Sequence, residues 1–66
     1  MRPLTAAIKL AAAQDAMRDA ADALDRVGGE EASLHASEMR GAIKVAQRWE
    51  LEMRRQYSAR TNARPE

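Results

Sequence analysis

The chain contains no cysteine, so disulfides and thiolate metal sites are excluded. Its single histidine, His35, cannot build a structural zinc site by itself. No apolar run approaches the roughly 20 residues that a membrane-spanning helix needs. Nothing near Met1 reads as a secretory signal, so a cytoplasmic protein is expected. The only aromatic side chains are Trp49 and Tyr57, too few for a ladder that stacks bases. There is no glycine-rich phosphate loop, and His35 has no evident nucleophile beside it. These absences point away from an enzyme, a cofactor and a small-molecule substrate.

What is present is helical. At 66 residues the chain is at most one domain, near the size at which a lone core stops being sufficient. With disulfides and metals excluded, oligomerisation is the remaining way to complete that core. Pro3 and the residues up to Ala6 suit a helix start, with Thr5 as an alternative cap. Strong helix formers continue to Val27, where Gly28 and Gly29 suit a left-handed C-cap. Glu30 and Glu31 follow at the positive end of a second helix. The expected organisation is a helical hairpin over residues 1–60: helix one at about 4–27, a turn at 28–29, helix two at about 30–58. Residues 61–66 are expected to fray. So short a turn makes the helices antiparallel neighbours.

The charges of helix one occupy one narrow face. With Leu10 as heptad position a, Asp15, Arg18, Asp19, Asp22, Asp25 and Arg26 all fall at b, c or f. Positions a and d hold Leu10, Ala13, Met17, Ala20, Leu24 and Val27, and Ala16, Ala21 and Ala23 fill the flanks. An apolar arc that wide needs neighbours on both sides, more than a single partner helix supplies. Helix two carries Ala32, Ala36, Met39, Ala42, Ile43, Ala46, Trp49, Met53 and Tyr57 at three- and four-residue steps. Small residues alternating with large ones suit layered packing at close approach. The expectation is an all-α, antiparallel two-helix hairpin that forms a homodimeric antiparallel four-helix bundle. Its dimer core is Leu10, Ala13, Met17, Ala20 and Leu24 with Met39, Ile43, Ala46, Trp49 and Met53.

Charge predicts the orientation of the two copies. Residues 1–39 hold four basic against seven acidic side chains, and residues 40–66 hold seven basic against three acidic. An antiparallel two-fold dimer sets each acidic turn end against the partner's basic end, and parallel stacking would set like charges together. In length, two-helix composition and alternating small and large core residues, the chain resembles the Rop type of RNA-binding hairpin dimer. The likeness covers the whole chain as architecture, and no motif carries a functional residue across. What the resemblance implies is a four-helix bundle that contacts nucleic acid.

Arg40, Lys44, Arg48 and Arg55 form a basic stripe along helix two. Leu51 lies within it, and Glu50 and Glu52 interrupt it. The stripe is either a solvated face, a track for phosphates, or, with Leu51 as anchor, a dock for an acidic protein partner. Leu4 and Ile8 break the charged side of helix one. They pack against the last turns of helix two or form an apolar patch with Arg55 and Tyr57. Glu31, His35 and Glu38 share a helical face, where a surface ion pair is expected and a metal is not. Gly41 in mid-helix costs roughly 1 kcal/mol against Ala. The leading expectation is a small protein–protein interaction module, a regulator or inhibitor docking on a larger bacterial protein. A phage or mobile-element origin fits its size, and Ala- and Arg-rich composition fits a GC-rich source. The alternative is a nucleic-acid-binding regulator that uses the basic stripe.

Overall fold

The computed structural model describes residues 1–63, with side chains to Arg60. Two helices, α1 (Pro3–Val27) and α2 (Glu30–Ala63), pack against each other as a hairpin, and the described residues include no strand. α1 starts on Pro3. Arg2 is its extended N-cap (ψ 147°), and the Arg2 carbonyl accepts from the Ala6 N–H at 3.0 Å. Proline suits this place because the N–H it lacks would have no helical partner. Thr5, the alternative cap, lies inside the helix.

α1 ends at Gly28, whose N–H still donates to the Leu24 carbonyl at 3.3 Å. The expected positive φ is there, at 79° for Gly28 and 93° for Gly29. Gly28 has ψ 170°, however, which is not the left-handed cap. The chain leaves α1 in an extended, essentially glycine-only conformation. α2 then begins at once, and Ser33 N–H donates to the Gly29 carbonyl at 3.1 Å. α2 continues to Ala63, past the end near 58 expected from the sequence. The remainder of the expected frayed tail, 64–66, lies outside the described residues.

The hairpin is a rod of 57 × 14 × 14 Å with a radius of gyration of 15.9 Å. A compact domain of this length would have about 11 Å. The seam between the helices is thin. Its buried positions are Pro3, Ala7, Gln14 and Ala21 on α1, and Ala36, Ile43 and Ala46 on α2. Apart from Ile43, the apolar side chains among them are alanine and proline, and among the described residues no large side chain is fully buried. The chain exposes 5210 Å², whereas size scaling gives about 4,200 Å² for a folded monomer of this mass. The excess, on the order of 1,000 Å², follows from the elongated shape of the rod.

Candidate functional site

Two rims flank the seam, and they differ in character. On one rim the contacts are ionic. The Arg40 guanidinium crosses from α2 to α1, where Nη2 donates to Asp25 and reaches Asp22 at 3.4 Å. Hydrogen bonding and charge from Asp25, with a smaller contribution from Asp22, raise the Arg40 pKa above its ordinary value. Arg18, Asp22, Arg40, Ile43, Lys44 and Gln47 line a shallow hollow on this side.

Within the seam sits a polar contact that the periodicity conceals. Gln14, 5% exposed, donates from Nε2 to Glu50 Oε1 at 2.7 Å. The other carboxylate oxygen of Glu50 accepts from Arg54 Nε at 2.9 Å. The Gln14 amide first, then Arg54, holds the Glu50 carboxyl below the usual glutamate range. Glu50 therefore occupies an inward position of α2, where the sequence shows only an interruption of the basic stripe. Glu52 accepts two hydrogen bonds from Arg55, at 2.6 and 3.0 Å, and its pKa is lowered chiefly by them.

The opposite rim is apolar. Arg40 joins Asp22 and Asp25 on one side of both helices, so the remaining flanks share the other side. There α1 presents Ala13, Ala16, Ala20, Ala23 and Val27, and α2 presents Ala42, Val45 and Trp49, while Lys9, His35, Glu38, Glu52 and Gln56 stand at the same helical positions toward the ends of this stretch. Trp49 is 56% exposed and Val27 77%. Between the flanks, Leu10, Met17, Leu24, Met39 and Met53 are only half-buried.

The ten residues assigned to a core thus divide within the single hairpin. Ile43 and Ala46 are buried in the seam, and Leu10, Ala13, Met17, Ala20, Leu24, Met39 and Met53 are half-covered. Trp49 stands open. The inward positions of α2 (Ala36, Met39, Ile43, Ala46, Glu50, Met53) keep alternating three- and four-residue steps. Ala42 and Trp49 lie to one side of that line. Inward positions of α1 are heptad e (Ala7, Gln14, Ala21), with heptad a beside it (Pro3 buried, Leu10, Met17 and Leu24 half-buried), leaving d and g to the open rim.

The basic stripe is less uniform than its spacing suggests. Arg40 is tied to α1 and Arg55 to Glu52, while Lys44 and Arg48 make no ion pair or hydrogen bond among the described residues. Leu51 is 70% exposed between them. At the other helix, Leu4 is half-buried and Ile8 57% exposed. His35 Nε2 lies 3.9 Å from Glu31 on an exposed face. Among the described residues no three acidic, histidine or cysteine side chains are grouped to hold a metal. No helix among them is long and apolar enough to cross a membrane.

No protein-family model, curated protein or solved structure matches the chain.

Proposed function

We propose that the chain is a non-enzymatic interaction module that works as an antiparallel homodimeric four-helix bundle and regulates a larger protein by docking on it. The open apolar rim carries this reading. It runs from Ala13 to Val27 on α1 and from Ala42 to Trp49 on α2, and it leaves Trp49 56% exposed. A second copy is the occupant that charge favours. The half of the rod nearest the turn (residues 18–40) carries six carboxylates against three arginines. The other half (1–17 and 41–60) carries seven cations against three carboxylates. A two-fold antiparallel pairing sets each end against its opposite, which selects orientation while the apolar rim supplies the stability.

The ion pairs of Arg40 and Arg55 favour a protein partner over nucleic acid. With those two engaged, the stripe offers phosphates only Lys44 and Arg48 without internal competition, and nucleic-acid affinity grows with the number of phosphates neutralised. Light scattering on a sizing column tests the assembly. The expected mass is twice the 7.3 kDa of the chain. A monomeric mass accompanied by cooperative helix melting sinks the proposal.

A further inference from the structure

The outer face of α2, turned away from both the seam and the apolar rim, presents Gly41, Lys44, Arg48, Leu51 and Arg55. Gly41 is the unexpected member. Glycine weakens a helix interior relative to alanine, and a Cβ added at Gly41 would meet nothing within 4 Å. No packing inside the chain calls for it, and its backbone is helical, so no positive φ requires it. Bare backbone on an exposed helix face lets a second helix approach more closely than any side chain would allow. One and two turns further on, Lys44 and Arg48 make no ion pair or hydrogen bond among the described residues, and Leu51 beyond them is 70% exposed. Arg55 is 71% exposed, although Glu52 holds it. Toward the turn the sign reverses, with Glu30 and Glu31 beside the exposed Leu34.

We infer that this face binds an acidic amphipathic helix from a partner protein. A small residue of that helix crosses Gly41, an apolar residue packs on Leu51, and carboxylates meet Lys44 and Arg48. The reversal of charge toward Leu34 fixes the direction of the bound helix, with its acidic end over Arg48. Phosphates are a poorer match, because the face offers two unpaired cations, an exposed leucine and no aromatic platform. The inference rests on reading the chain as an interaction module. It does not depend on the dimer, because the binding face lies outside the apolar rim and the sizing experiment reads the dimer separately.

The test is titration calorimetry of the full chain with synthetic helical peptides of about 20 residues, long enough to hold a helix in water. They display leucine, alanine and glutamate on one face, with controls in which lysine replaces glutamate, and a single-stranded oligonucleotide as a further probe. The glutamate peptides should bind, the lysine peptides should not, and Arg48→Glu or Leu51→Asp should weaken binding by at least about tenfold. Gly41→Ala should raise the melting temperature of the free protein and weaken the peptide, a combination that a merely structural glycine would not give. Circular dichroism checks that each variant stays folded. Equal binding of both peptide sets, or undiminished binding by Gly41→Ala, overturns the inference. So does an oligonucleotide that binds through Arg48 where the peptides fail. Growth of assemblies beyond the dimer that Arg48→Glu abolishes also overturns it, since the occupant would then be another copy of the chain.

Discussion

Trp49→Ala puts the apolar rim under the sharpest strain. The indole is 56% exposed in the hairpin, and a tryptophan side chain offers up to about 250 Å². About 140 Å² therefore remains for a partner to cover, equivalent to about 3.5 kcal/mol at about 25 cal/mol per Å². In the proposed dimer two-fold symmetry counts the residue twice, and a ceiling of about 7 kcal/mol follows. If half of that is realised, the dimer dissociation constant rises several-hundred-fold. Sedimentation equilibrium over a dilution series measures the change directly. In the parent protein, Trp49 fluorescence supplies an independent readout, because the chain has no other tryptophan. Its emission should move to longer wavelength, and acrylamide should quench it more strongly, as the dimer dissociates. Unchanged dissociation of the variant, or quenching that is the same at every concentration, would mean that no second copy covers Trp49.

Three further outcomes follow from local geometry. Gly28→Ala should destabilise the protein by about 1–3 kcal/mol, because φ 79° with ψ 170° is a region other residues scarcely enter; denaturant melts that coincide with the parent would contradict this. Gly41→Ala should stabilise it by up to about 1 kcal/mol, raising the melting temperature by several degrees, and a lower melting temperature would show that something does pack on Gly41. The Glu50 and Glu52 carboxyls have pKa values lowered in the folded state, by Gln14 and Arg54 for the first and by Arg55 for the second. Their stabilisation is complete above the unfolded value, about 4.3, and is lost as pH falls through the lower folded values. Thermal melts over that acid range should show the loss, and Glu50→Gln with Glu52→Gln should flatten it. An undiminished acid response in the double variant would place its origin in other carboxylates.

The hairpin itself is legible in the sequence. A periodic apolar stretch, a Gly28–Gly29 break and the acidic start at Glu30 leave little alternative to two adjacent helices. Which part of the α1 arc faces α2 is not legible. The arc spans heptad positions a, d, e and g, wider than one neighbour, so periodicity alone does not say whether Ala7, Gln14 and Ala21 or Ala13 and Ala20 line the seam. Gln14 shows the cost of that ambiguity. The periodicity gives it no role until Glu50 is brought opposite, and the register that pairs them depends on how the chain crosses the turn. Arg40 is similar: its spacing places it in a solvated stripe, and only the three-dimensional offset of the helices reveals Asp22 and Asp25 within reach. A glutamine at a flank position between alanines a heptad away on each side, with a glutamate in the inward series of the second helix, is the signal that could have located the polar contact.

If two hairpins lie antiparallel along the apolar rim, the distance between their turns is fixed by the length of the rod. A chain without cysteine accepts a single spin label cleanly at Glu30→Cys, beside the turn. Dipolar spectroscopy on the labelled protein should return a separation approaching the 57 Å length of the rod, since antiparallel pairing sends the two turns to opposite ends. A short separation would mean parallel pairing, and the absence of any coupling between labels would mean no dimer; either result contradicts the account.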